Sequence, residues 1–219
     1  MRLGRCHVRS PDAMADEGDH VISPEDDELY RRVLDEIYKR IEHARTHLPS
    51  AHMRPEIESC ALQIRIAIEL IVMGSLVTNR DAIESIDLAL SSKKSASEAA
   101  KIARAANPDY WPKATTPYKA PGQLTIDLRP VEGALSEESW EREWGKLSAF
   151  LHARNPFKEH LSLSDARELV DRVTRELILL MNHHVVHLAD RDGMLVGQIG
   201  PDGVSVTHFG LLAPASQAG

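Results

Sequence analysis

Between Phe150 and His160 the chain reads FLHARNPFKEH, which sets an imidazole, a guanidinium and an amide close together and returns to a second imidazole. An imidazole titrating near neutrality can exchange a proton with a hydroxyl or a leaving oxygen, and a nearby guanidinium can hold charge on a phosphate. Arg154 and His160 are therefore the candidate catalytic pair, with His152 and Asn155 in support. A second cluster is His183, His184, His187 and Asp190. If a helix runs through it, His183 and His187 share a face at i and i+4 and Asp190 follows at i+3, a workable spacing for zinc. No cysteine pair or HExxH motif accompanies them, and histidines are favoured at a helix C-terminus by the backbone dipole, so no metal is favoured and no cofactor is expected.

Two further groupings carry charge or aromatic surface. Arg65 and Glu69 sit four apart inside an apolar run, spaced to pair on one helical face and expected to serve as a buried structural ion pair. Trp140 and Trp144 lie beside Arg142 and Lys146; the Trp pair reads more simply as a core stripe than as a base-stacking platform. Tyr110 and Trp111, before Pro112, suit either a lid anchored by aromatics or plain packing. Nothing resembles a P-loop, a dinucleotide fingerprint or a nucleophile elbow.

Arg154-Asn155 followed by His160 resembles the Arg, polar residue, spacer, His pattern of HEPN-type helical ribonucleases. That resemblance implies a dimeric four-helix unit whose interfacial Arg and His cut RNA without a metal, in a defence or toxin setting. Over a longer stretch, CALQIRIAIELIVMGSLVTN, NPDYWP, FLHARNPF and MNHHVVHL are similar to strings of an uncharacterised bacterial family of helical proteins. This second resemblance implies one architecture across residues 60–188 and no particular reaction.

The elements that must position these residues follow from periodicity. Apolar residues recur at Leu29, Val33, Ile37, Ile41 and Ala44, after Ser23-Pro24 and an acidic first turn, which predicts a first helix ending near Pro49. From Cys60 to Val77 apolar side chains surround the helix on every face, so a central helix over Glu56 to Asn79 must be wrapped by others. Shorter helices are expected over Asp81 to Leu90 and Ser97 to Ala106. A fourth major helix starts at Ser136 and stops by Pro156, and a last one runs from Ser164-Asp165 through Leu177, His184 and Leu188. Residues 111–132 read as an irregular, proline-rich excursion in which Leu124, Ile126 and Leu128 alternate as a short strand would. Met194 to Ile199 and Val204 to Phe209 flank Gly200-Pro201-Asp202-Gly203 and predict a hairpin. The expected fold class is mainly α, an antiparallel bundle around a buried central helix, with a small C-terminal β-hairpin that can pair with a third short strand.

A chain of 219 residues fits one domain; a polar tail over 1–24, a helical domain over 25–212 holding the hairpin 194–209, and a tail over 213–219 are expected. Met14 offers a second translation start beside Met1. Cys6 and Cys60 alone make a disulfide framework improbable and favour a reducing, cytoplasmic setting. Charged residues at a bilayer centre cost about 2.5–3.5 kcal/mol each, so Arg65 and Glu69 argue that the central run is a buried soluble helix rather than a membrane span. A net charge of -7 argues against a generic polyanion binder. The HEPN-type resemblance implies a self-associating module that binds or cleaves RNA, and this is the expected function. The alternatives are a non-enzymatic protein-interaction module whose cleft is closed by the proline-rich segment, and a metal-dependent hydrolase built on the His183 cluster.

Overall fold

A computed structural model describes residues 22–83, 95–118, 127–152, 161–189, 193–200 and 203–210. Three of the described helices begin at a serine whose hydroxyl satisfies a free backbone donor. Helix α1 spans Pro24–His47, and the Ser23 hydroxyl accepts from the Asp26 N–H at 3.0 Å. Helix α2, Arg54–Thr78, is started by the Glu56 carboxylate, which accepts from the Met53 N–H at 2.9 Å. In α3, Ala96–Ala106, Ser95 and Glu98 cap one another reciprocally. Helix α4 covers Trp140–Leu151. Helix α5, Leu163–Asn182, is capped by Ser162, two residues before the expected start.

The described strands are β1 (Lys113–Tyr118), β2 (Asp127–Pro130), β3 (His183–His187), β4 (Gly193–Gly200) and β5 (Gly203–Gly210). They form one antiparallel sheet in the order β2-β1-β3-β4-β5. Strand β1 changes partner along its length: Lys113 and Ala114 pair with β3, whereas Thr115 to Tyr118 pair with β2. Pro117 falls in the second half, where the strand has a single neighbour and a missing N–H is tolerated.

The expectation of a mainly α bundle with a small hairpin is thus corrected to a mixed α/β fold: five α-helices among the described residues pack with a five-stranded sheet. Two strands account for the difference. Lys113–Tyr118 lies in the stretch expected to be irregular, and His183–His187 lies where the last helix was expected to continue. The helix stops at Asn182 because Val185 and Val186 are β-branched and the segment has strand neighbours on both sides, β1 and β4. The hairpin itself is present, one residue longer at each strand end than expected. Of the alternating trio, Leu128 is in β2, while Leu124 and Ile126 lie outside the described residues, as does most of the helix expected over Asp81 to Leu90.

Helices α1 and α5 lie on one face of the sheet, and α2 packs on both of them with α3 and α4 against it. The last turn of α2, residues 74–78, is buried on all sides, as an all-round apolar helix must be, while a flank through Leu62, Arg65, Glu69 and Met73 is only partly covered. The main apolar core runs from Leu34, Ile64 and Ile68 through Leu147 and Leu177 to Leu195 and Val206 on the sheet, and a smaller cluster of Val185, Met194 and Val196 lies apart from it.

A fully buried polar contact crosses the seam between helices and sheet. The Tyr30 hydroxyl lies 2.9 Å from His184 Nε2, and both side chains are sealed from solvent. Burial raises the Tyr30 pKa and depresses that of His184 to about 4, so the pair meets as phenol and neutral imidazole. Room for the two rings comes from glycines. A Cβ on Gly74 would approach the Tyr30 ring at 3.1 Å, and one on Gly197, directly opposite His184 across β3 and β4, would meet its Nε2 at 2.3 Å.

Two outcomes are expected. Gly197→Ala lowers stability by about 3 kcal/mol through overpacking, and costs far less in a His184→Ala background, where the methyl occupies vacated space; equal losses in the two backgrounds, read from urea midpoints, would refute the contact. The unfolded chain takes up a proton at His184 near the ordinary value of 6.5, whereas the folded protein resists until about 4. The stabilisation is therefore complete above pH 6.5 and is lost as pH falls toward 4, by roughly 3 kcal/mol. Urea midpoints should decline through that window and flatten in Tyr30→Phe/His184→Leu.

Candidate functional site

The histidine cluster separates into three environments because it lies on a strand. Alternation sends His183 and His187 to the outer face of the sheet and His184 inward to the core. Four residues of strand put His183 and His187 roughly 13 Å apart, against one helical turn for the same spacing on a helix. His183 Nδ1 lies 2.8 Å from the Thr115 hydroxyl on β1, and Asp190 lies outside the described residues. Among the described residues no group of three or more His, Cys, Asp or Glu side chains is placed to hold a metal ion.

His187 opens onto a cleft. The cleft has a volume of about 520 Å³ and lies between the segment Asp109–Ala114 and the stretch Pro130–Glu138. Its wall is apolar, with Trp111, Pro112, Val131, Leu135 and Leu180. Trp111 is fixed from behind: its indole stacks on Trp140 with centroids 5.5 Å apart, and its Nε1–H donates to the Leu135 carbonyl at 3.1 Å. Trp140 in turn donates to the Tyr110 hydroxyl at 3.1 Å, so all three aromatics are buried and oriented.

Two asparagines hold the polar side of the cleft in register. Asn107 donates through Nδ2 to the His187 carbonyl at 2.8 Å and to Asn79 Oδ1 at 3.0 Å, while its own Oδ1 accepts from the Asp109 N–H at 2.9 Å. Asn79 Oδ1 also accepts from the Ala189 N–H at 2.9 Å. The end of α2, the turn after α3 and the end of β3 therefore meet in one buried amide cluster.

On that frame Asp109 and Lys113 form an ion pair at 2.7 Å. The Lys113 hydrogen bond holds the Asp109 carboxyl below its usual range. Burial first, then the Lys113 charge, pushes the His187 pKa down, so its ring is neutral at physiological pH. No hydrogen-bond partner reaches the His187 ring among the described residues. At the mouth Glu137 pairs with Arg104 at 3.0 Å. The Ser136 hydroxyl and the local backbone keep the Glu138 carboxyl below its usual range, and no cation pairs with it among the described residues.

The remaining sequence candidates are placed as follows. Arg154, Asn155 and His160 lie outside the described residues; His152 is exposed at the end of α4, with its N–H on the Ser148 carbonyl at 3.1 Å. Arg65 and Glu69 do pair, at 3.1 Å, and Trp144 from α4 donates its Nε1–H to Glu69 at 2.9 Å. The pair is not sealed as expected: each side chain keeps 30 % of its surface exposed, because it lies on the partly covered flank of α2. The carboxylate that is sealed is Glu143, 1 % exposed on α4, contacted by Arg142, Lys146 and Arg172. Burial alone would raise its pKa, but the hydrogen bonds of Arg172 and Arg142 prevail and hold it below the usual range. It escaped notice in the sequence because Arg172 lies on another helix. Asp109 and Lys113 were likewise missed; the signal was the turn-forming Asn107-Pro108-Asp109 ahead of two aromatics.

Truncating the two carboxylates should separate them. Glu143→Ala leaves a sealed site without its carboxylate but with its three cations part in water, and costs about 2–3 kcal/mol, whereas Glu69→Ala, at a pair partly in water, costs about 1 kcal/mol. Equal shifts in the urea midpoint would contradict this placement. No protein-family model, no curated protein and no solved structure matches this chain.

Proposed function

We propose that the protein is a non-enzymatic binding module whose recognition site is the cleft between Asp109–Ala114 and Pro130–Glu138. The observation that carries this is His187: a neutral imidazole, without a hydrogen-bond partner among the described residues, facing an apolar cavity of about 520 Å³. That volume lies in the range of small-ligand sites, and an apolar wall with a few convergent polar groups is their usual composition. The wall is preformed, since the Trp111–Trp140 stack and the Asn107–Asn79 cluster are satisfied with the cleft open. The proline-rich stretch supplies Pro112 and Pro130 to the lining, in keeping with a module whose cleft is bounded by that stretch.

A cytoplasmic, membrane-free setting belongs to the same proposal. Helix α2 is long and apolar enough to cross a bilayer, and its packing against α1, α3, α4 and α5 supports the role of a core helix instead. Cleavage of RNA by Arg154 and His160 is the competing proposal, supported by the motif resemblance.

The test is a ligand-observed and ¹H–¹⁵N NMR screen of small neutral and charged fragments on wild type and on Ala134→Trp, which fills the cleft. Binding that shifts the Lys113, Val131 and His187 signals, and vanishes in the variant at unchanged melting temperature, is the expected result. Fragments binding elsewhere, or none at all, would overturn the cleft. Metal-free RNA cleavage in chelator, lost in both Arg154→Ala and His160→Ala, would transfer the function to that segment.

A further inference from the structure

Resting on the cleft as the binding site, we propose that its ligand is a compact apolar body carrying a primary ammonium group. The residues that line the cavity bring three carboxylates, Asp109, Glu137 and Glu138, against one ammonium, Lys113. Two of the carboxylates are engaged by cations: Asp109 by Lys113 at 2.7 Å and Glu137 by Arg104 at 3.0 Å. Glu138 stands exposed at the mouth, and among the described residues only a hydroxyl and backbone donors hold its charge. A cation entering between Glu138 and His187 meets a carboxylate without displacing an existing pair.

The inner end of the cleft selects the same chemistry. A neutral imidazole offers one nitrogen lone pair as an acceptor, and an ammonium is a donor on three sides with no acceptor of its own. An incoming carboxylate would find the opposite situation. Its natural partner, Lys113, is taken by Asp109, and the remaining charges at the mouth repel it. The apolar wall of Trp111, Val131, Leu135 and Leu180 suits a ring or a short branched chain rather than a hydrated polyol.

Benzylamine, benzyl alcohol and benzoate share one ring and differ in the head group, so their titration into ¹⁵N-labelled protein reads the head group directly. Benzylamine is expected to shift Lys113, Val131 and His187 and to bind about tenfold more tightly than either analogue, one charge contact being worth roughly that factor. Glu138→Gln, at an exposed position, should remove most of that preference while the alcohol binds as before. Benzoate or the alcohol binding as well as the amine at the same signals would overturn the ammonium head and leave the cleft standing. Failure of all three to perturb those signals, together with an empty fragment screen, would overturn the cleft itself.

Discussion

A hydrogen bond between two side chains that never meet water holds the helical layer against the sheet. Tyr30 belongs to α1 and His184 to β3, and the pair lies where an apolar contact would otherwise be expected. A satisfied buried bond contributes about 1 kcal/mol net, but leaving either partner alone costs about 1–3 kcal/mol. The bond therefore acts chiefly as a constraint. With Nε2 accepting from the phenol, the ring proton sits on Nδ1, which faces the Met181 backbone without reaching hydrogen-bond geometry. A strand register shifted by one residue would put His183 or Val185 at this point and send His184 to the outer face. Gly74 and Gly197 make the constraint directional, since each removes the methyl that would block one of the two rings.

Once β3 is fixed by its inward histidine, the outward ones follow. Alternation then places His187 at the cleft and His183 beside Thr115, and the backbone carbonyl of His187 becomes the acceptor that Asn107 uses. Asn107 is the hinge of this arrangement in the architectural sense: one side chain touches the turn that carries Asp109, the strand that carries His187, and the end of the central helix. Further ties run from α1 to the edge of the sheet, where Arg31 donates to the Val206 carbonyl at 2.9 Å and His208 meets Asp27 at 2.8 Å. The cleft is thus built on elements secured at both ends, as a preorganised binding surface requires.

The helices were legible because their signals are redundant. Capping residues, acidic first turns and four-residue apolar spacing agree over α1, α2, α3 and α5, and the all-round apolar run announced the one helix that others enclose. The sheet was legible only at its hairpin. At Leu180, His184 and Leu188 a spacing of four satisfies both periods, since it is close to one helical turn and also two full strand repeats, so the apolar pattern cannot choose between them. What decided the matter was pairing with β1 and β4, and pairing is non-local. Lys113–Tyr118 carries a proline and a threonine pair and shows little alternation, because its halves serve different neighbours. The cleft shared this fate: its polar groups come from segments about 75 residues apart in sequence, and no local motif joins them.

The polar residues of this protein sort by whether folding has already satisfied them. Glu143 is nearly sealed and meets three cations; Arg172 is shared between it and Glu176 at 2.7 Å; Asn79 and Asn107 each serve several bonds. Such groups have no capacity left for a ligand, and their burial is affordable only because of that saturation. Arg65 and Glu69 are partly covered, and Trp144 adds to the pair an indole bond to the carboxylate and its ring face, 5.2 Å from the guanidinium. Some groups are left over, the buried Ser148 Oγ and His184 Nδ1 among them, and so are His187 and Glu138 at the cleft. One is an imidazole half withdrawn from water, the other a carboxylate held ionised; among the described residues the first has no hydrogen-bond partner and the second no cation, and both line the same apolar cavity. Folding gains nothing from leaving these two groups unsatisfied, whereas a ligand that supplies a donor to the first and a charge to the second recovers what folding left unused.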